Sequence, residues 1–342
     1  MKVVAYNIKP FEKEFLAKAN QKKHDITLIS NPLTAETAAY AEGKDAVIVF
    51  ANDDVSAPII DRLAGLGIKY IATRCAGTGH IDKKAAALRG IRLANVPDHA
   101  PESVAEYTVA LALSLSRHLT KAEEQIHHFD FTLDELVGFD LGGKTVGIIG
   151  LGDTGLATAR LFHGLGCIIV GYDDEMPALL RNITPVSLQD LLSRSDIISI
   201  HTSTSPRNGH VINSKIIDRM KTGVMLLNTA RGALIDTIDV LQGVKSGKIA
   251  YLGIDTYEYE KELLFADHGN DRTKDPLLQE LLSYPNVMVT PHQAFLTRES
   301  LQLIADQTIK NLDQWQQQKC VGNACICDQK CDEKSIAKSG RL

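Results

Sequence analysis

No apolar run in this 342-residue chain reaches the roughly 18 residues that span a bilayer. Positive charge is not in excess either. Lys and Arg number 37 against 42 Asp and Glu, a net charge of -5. That balance gives no reason to expect nucleic acid or an anionic membrane as partner. The chain carries six cysteines and none of the paired C-x2-C knuckles of common zinc sites. There is no internal repeat and no low-complexity segment. The first residues, Met1-Lys2-Val3-Val4-Ala5-Tyr6-Asn7, meet charge at once and read as a strand, not a signal peptide. The expected compartment is therefore the cytoplasm.

What is present fits a globular protein. Apolar residues make up 44% and charged residues 23%. The length exceeds one typical core, so two domains are expected. Strand-like runs at 3–6, 26–29, 46–50 and 70–73 alternate with helical patterns at 11–19, 34–40, 57–66 and 83–88. Asp82 reads as the cap of the last of these. Regular alternation predicts an α/β fold with a parallel sheet covered on both faces. Val96-Pro97-Asp98-His99-Ala100-Pro101 breaks the pattern, and one long helix is expected from about 102 to 129. A second series follows, with strands at 146–149, 168–172, 197–200, 224–227, 251–254 and 287–289, and a closing helix from about 297 to 316.

Between the first two strands of that second series lies Gly150-Leu151-Gly152-Asp153-Thr154-Gly155. The first glycine permits a tight turn, the second lets backbone approach a pyrophosphate, and the third packs helix against strand. The next strand ends at Asp173, eighteen residues past Gly155. An acid near that distance binds the ribose hydroxyls of NAD and repels the extra phosphate of NADP. Gly150, Gly152, Asp153, Thr154, Gly155 and Asp173 are therefore candidate cofactor residues, and NAD the expected cofactor.

Three further motifs follow strand ends: Asn228-Thr229-Ala230-Arg231-Gly232, Asp255-Thr256-Tyr257-Glu258-Tyr259-Glu260, and Pro291-His292-Gln293-Ala294-Phe295. Ligands bind at strand C-termini in such sheets. A guanidinium there can hold a carboxylate and polarise a ketone. An imidazolium can donate the proton that balances a hydride, and an acidic partner can orient it. Singly, Arg231 fits an ion-pair former, His292 a cap or core histidine, and Glu260 a solvated charge. Placed together at one crevice, they read as a catalytic set.

On these residues the chain resembles the D-isomer-specific 2-hydroxyacid dehydrogenases, over about residues 1 to 325, and within them the D-lactate dehydrogenases. The resemblance also rests on Ser195-Asp196-Ile197-Ile198-Ser199-Ile200-His201. It implies Arg231 for substrate binding, His292 as acid/base and Glu260 as its partner. It implies that Asp255 sits near the nicotinamide amide, and that Thr202, Ser203, Asn208, Thr229 and Ala230 line the cofactor. In Arg74-Cys75-Ala76-Gly77 it implies that the N–H groups near Ala76 and Gly77 hold the substrate carboxylate. His99 stands near the substrate where a tyrosine is usual, Ser203 replaces a usual proline, and Asp153 is unusual in the phosphate turn. Phe295, after His292, fits either an apolar substrate wall or core packing. Lys261-Glu262-Leu263-Leu264-Phe265 and the acidic loop after Glu260, and the Gln-Ala-Phe after His292, favour the lactate branch.

The resemblance further implies two doubly wound parallel-sheet domains. A Rossmann nucleotide domain (99–297) is inserted in a flavodoxin-like substrate domain (1–98 and 298–330), with hinge closure over the substrate. A homodimer or higher homo-oligomer through the nucleotide domain is implied. The expected activity is hydride transfer between NADH and pyruvate. The rivals are a broader D-2-hydroxyacid dehydrogenase taking a larger keto acid, and an NADH-sensing binding protein like the transcriptional corepressors that share this triad. Cys75 and Cys167 are expected to be reduced thiols. Cys320, Cys325, Cys327 and Cys331 are expected in an exposed tail, with a metal or redox role as the lesser alternative and no metal assigned. Residues 331–342 are expected to be disordered.

Overall fold

The structure, a computed structural model, describes residues 1–97, 101–178, 180–203, 209–265, 267–269 and 275–328. The chain divides into two compact units, residues 1–100 with 296–342, and residues 101–295.

The first unit holds a five-stranded parallel sheet of β1 (Lys2–Ala5), β2 (Asp25–Leu28), β3 (Ala46–Val49), β4 (Tyr70–Thr73) and β5 (Arg92–Ala94). Its order is β2-β1-β3-β4-β5, the flavodoxin-like winding. β3 is a continuous buried run, Ala-Val-Ile-Val, as a strand covered on both faces must be. One face packs Val4, Val47, Val49, Ile60, Leu63 and Ile71, and the other Val3, Ile48, Ala72, Leu312 and Trp315. The second face is closed by the helix Arg298–Gln316, whose N-cap Thr297 accepts a hydrogen bond from the Ser300 N–H.

The second unit holds a seven-stranded parallel sheet: β6 (Thr145–Ile149), β7 (Ile168–Tyr172), β8 (Thr184–Pro185), β9 (Ile197–Ile200), β10 (Val224–Asn228), β11 (Ile249–Ile254) and β12 (Val287–Val289). The order β12-β11-β10-β9-β6-β7-β8 is the Rossmann winding with one added edge strand. Its register aligns the strand ends: Ile149 pairs with Tyr172 and Ile200, and Asn228 with Ile200 and Ile254. Ile254 pairs with Val289. Whatever follows those residues emerges along one edge.

Three expectations are corrected. The single helix over 102–129 is two, Pro101–Ser116 and Leu119–His127. Phe139 N–H takes the Ser116 carbonyl, Gly138 packs against that oxygen, and His118 turns left-handed (φ 50). A returning chain thus removes an acceptor that the helix needed to continue. The helical pattern at 34–40 is a short 3-10 turn, Thr37–Ala41. The segment carrying the C-terminal cysteines is not an exposed tail as far as residue 328. Val321 and Ala324 are buried, Ala324 O accepts from Asn95 N–H, and Leu93 N–H donates to Cys327 Sγ. Cys331 and the polar end lie outside the described residues. No disulfide joins Cys75, Cys167, Cys320, Cys325 and Cys327, and among the described residues no cluster is built to hold a metal.

Candidate active site

The aligned strand ends of the second unit gather the motifs. Gly150 follows β6, Asp173 follows β7, His201 follows β9, Thr229 follows β10, Asp255 follows β11 and Thr290 follows β12. The glycine turn fits its three tasks. Gly150 is left-handed (φ 95), and a Cβ there would lie 2.6 Å from His201 carbonyl carbon and oxygen. A Cβ on Gly155 would lie 1.9 Å from Gly150 O, so the helix could not seat. A Cβ on Gly152 meets nothing within 4 Å, so that side is open to a ligand.

Gly152 is the N-cap of the helix Asp153–Gly164 and supplies no side-chain cap. The first N–H groups and the positive end of the dipole are left for an anion, which suits a dinucleotide pyrophosphate. Asp173 caps the other side of the turn. Its Oδ2 accepts from Leu151 N–H at 2.6 Å and its Oδ1 from Glu175 N–H at 2.9 Å. Asp153 and Ser203 are exposed, and Thr154 and Thr202 half-buried. His99 and Asn208 lie outside the described residues.

Beneath the turn, His201 Nε2 and Ser199 Oγ are 2.7 Å apart, and its Nδ1 is buried without a partner among the described residues. Burial pushes this imidazole down to about 3 from its ordinary 6.5, so it is neutral at neutral pH. Sequence reasoning assigned it no role. Its residue type at a strand end beside the turn was the only signal.

Arg231 is exposed at the end of β10, and its local backbone is held from two sides. Asn228, fully buried, donates from Nδ2 to Arg231 O (2.8 Å) and accepts Ala230 N–H at Oδ1 (3.0 Å). Gly232 lies so close to Tyr257 that a Cβ would sit 2.2 Å from its carbonyl oxygen. Thr229 is buried, with its hydroxyl 2.7 Å from that of Thr108. In the Tyr-Glu-Tyr-Glu segment the two acids differ in task. Glu258 Oε1 pairs with His210 Nε2 at 2.7 Å, and its Oε2 accepts Thr237 N–H at 3.0 Å. Glu260 turns to His292.

His292 Nδ1 donates to Glu260 Oε1 at 2.8 Å, and Glu260 Oε2 accepts Tyr257 N–H at 2.9 Å. The carboxylate only accepts, so Nδ1 carries a proton and the tautomer is fixed. Nε2 has no partner among the described residues, and the side chain is 26% exposed. His292 itself is left-handed (φ 55), which costs a non-glycine residue about 1–2 kcal/mol. Asp255 holds it there. Its Oδ1 accepts Thr290 Oγ1–H at 2.6 Å and Gln293 N–H at 2.9 Å, and its Oδ2 accepts Ala294 N–H at 2.8 Å. The resemblance places Asp255 beside a nicotinamide amide. Here it is 0% exposed and faces the loop, so its visible task is to shape the backbone around His292. Phe295 meets the His292 ring edge-on, centroids 6.5 Å apart.

In the first unit, the turn after β4 carries Ala76 and Gly77. Asn95 Nδ2 donates to Ala76 O at 2.9 Å, and Val96 N–H donates to Cys75 O at 3.3 Å. All peptides are trans, so each N–H points opposite the carbonyl it shares a plane with. Tying back the carbonyls of 75 and 76 therefore turns out the N–H groups of 76 and 77. Neither is hydrogen-bonded among the described residues. Two adjacent free donors are what a carboxylate needs.

Comparison with known proteins shows the family. Residues 109–294 match the family model described as the D-isomer specific 2-hydroxyacid dehydrogenase NAD binding domain. A D-lactate dehydrogenase of Curvularia clavata is 40% identical over 332 residues, 95% of either chain. An aromatic 2-oxoacid reductase of Clostridium sporogenes is 37% identical, over 96% of this chain and all of that one. The solved pyruvate reductase of Chlamydomonas reinhardtii superimposes with a TM-score of 0.89 at 39% identity, covering 94% of this chain and 98% of the other. The chain belongs to the D-isomer-specific 2-hydroxyacid dehydrogenases. It is an NAD-dependent enzyme of that family and acts on 2-hydroxy or 2-keto acids. No helix among the described residues is long and apolar enough to cross a membrane.

Proposed function

We propose that the enzyme is a D-lactate dehydrogenase that reduces pyruvate and prefers NADH to NADPH. The observation that carries this reading is His292, held by Glu260 at 2.8 Å with Nε2 free, on the sheet edge that bears the glycine turn. NADH, when bound, supplies the hydride to the carbonyl carbon. Gly152 and the bare helix start receive the pyrophosphate, and Asp173 the ribose hydroxyls, where its charge disfavours a 2′-phosphate. In the second unit Arg231 binds the substrate carboxylate and polarises the ketone; in the first, the Ala76 and Gly77 N–H groups are carboxylate donors. His292 delivers the proton from Nε2 to the ketone oxygen, and Glu260 stabilises the imidazolium. Phe295 limits the substrate side chain.

A relative that takes aromatic oxoacids keeps a second reading in view: a broader enzyme in which the apolar wall accepts a large side chain. The test is NADH oxidation with pyruvate, 2-ketoisocaproate and phenylpyruvate, repeated with NADPH. The highest kcat/KM is expected for pyruvate with NADH. A higher kcat/KM for phenylpyruvate transfers the assignment to the broader enzyme. No turnover of any keto acid would favour an NADH-binding protein instead.

The working form is a homodimer. Phe129, Phe131, Leu133 and Val137, within nine residues of the second unit, are each at least 72% exposed. Such a cluster is unfavourable in water unless a second surface covers it. Light scattering after size exclusion is expected to give twice the 37.4 kDa chain mass. Mass equal to one chain would remove this proposal.

A further inference from the structure

The turn that presents the Ala76 and Gly77 N–H groups begins at Arg74, a charged residue with only 2% of its surface exposed. Its guanidinium is forked onto Glu12: Nε to Oε2 at 2.9 Å and Nη2 to Oε1 at 3.1 Å. Nη2 also reaches the carbonyls of Tyr6 (3.1 Å) and Asn7 (3.3 Å). Glu12 Oε1 accepts the Lys9 N–H as well, at 2.8 Å. Asn7 is left-handed (φ 54). The Arg74 N–H meanwhile donates to Val49 O. One residue, through its side chain and its backbone N–H, thus ties together the C-terminal ends of β1, β3 and β4 and the turn at 10–12.

We propose that the buried Arg74–Glu12 pair is a positioning device for the carboxylate-binding turn at Ala76 and Gly77. The inference rests on the reading that these two N–H groups hold the substrate carboxylate. Three observations carry it. A buried ion pair often stabilises a fold no more than an apolar pair of the same volume, so stability alone is a poor reason for it. The bidentate fork fixes angle as well as distance, which an apolar contact does not. It also sits at the ligand end of the sheet, two residues from the free donors. Behind the turn, Asn95 and Val96 set which way the peptides face. Arg74 and Glu12 set where the turn begins. A shift at the Arg74 backbone carries directly into the direction of both N–H groups.

The test replaces the pair by Arg74→Met with Glu12→Leu, and in a second enzyme by Arg74→Lys alone. Lysine keeps the charge but loses the fork. Thermal melting and the KM for NADH are expected to stay near those of the wild type. The KM for the keto acid is expected to rise about tenfold or more in both, the loss of roughly one charge-assisted hydrogen bond. Should the double variant fail to fold, the Arg74→Lys enzyme decides. A folded variant with wild-type keto-acid KM overturns the proposal. Gly77→Pro, which deletes one donor, separates the two levels. If Gly77→Pro leaves the keto-acid KM unchanged, the underlying reading fails. If it raises that KM while the pair variants do not, the positioning role alone fails.

Discussion

Asp255 shows how a residue can shape chemistry without meeting solvent. Its carboxylate accepts three hydrogen bonds from the loop that follows β12, and the loop carries His292 in a left-handed backbone. Replacing it by Asn turns one acceptor oxygen into an NH2 group, which must face an N–H or O–H donor. The loop then relaxes and the imidazole leaves its place beside Glu260. A displacement of about 1 Å costs up to 10²-fold in rate. Asp255→Asn is therefore expected to fold but to lose about 10- to 100-fold in kcat, read by steady-state kinetics alongside a melting curve. An unchanged kcat would show that the loop holds its shape alone. Arg231, Glu260 and His292 could be proposed from the sequence because their types match a task and each follows a strand. The positioning roles of the residues around them could not be read there. Asn228, Asp255 and Gly232 act through backbone groups and close approaches, which no single-residue pattern displays.

At the scale of elements, the helix Asp153–Gly164 carries two opposed demands on one residue. A carboxylate in the first turn complements the helix dipole by about 0.3–1 kcal/mol. The same charge stands where a pyrophosphate is expected, and Asp153 is exposed there in the first turn. Asp153→Asn should therefore tighten NADH binding several-fold while lowering stability by a few tenths of a kcal/mol, as the dipole term requires. Fluorescence titration with NADH checks it, and an equal or weaker affinity would place the carboxylate away from the phosphates. Parallel strands and their helices were readable because buried runs and periodic faces are local. The break at His118 was not, because Phe139 and Gly138 cause it from some twenty residues away. β5 (three residues) and β8 (two) are too short to stand out as patterns. Cys325 and Cys327 looked like a tail because their partners are backbone groups of β5.

For the molecule as a whole, the neutral buried imidazoles set the response to acid. His201 is pushed down to about 3, and burial also lowers His24. In the unfolded chain both return to about 6.5. Between the folded and unfolded values the unfolded state binds protons that the folded state refuses, so stability rises with pH there. The His201 contribution is complete above about pH 6.5 and is lost as pH falls toward 3, by roughly 1.4 kcal/mol per pH unit; that of His24 has the same sign. Burial acts on Asp53 in the opposite sense: its raised value adds stability below about pH 3.8 that is lost as pH rises through the folded value. The two effects oppose each other, and the histidines' part of the acid response is read by removing the His201 imidazole. Scanning calorimetry should show Tm falling between pH 6.5 and 5, with a shallower fall for His201→Gln, whose side chain does not ionise. His24 keeps its own share in that variant, so some slope remains. Equal slopes in the two enzymes would mean that His201 gains water and a proton without unfolding. The turn it supports would then be looser than its contacts with Gly150 and Gly155 require.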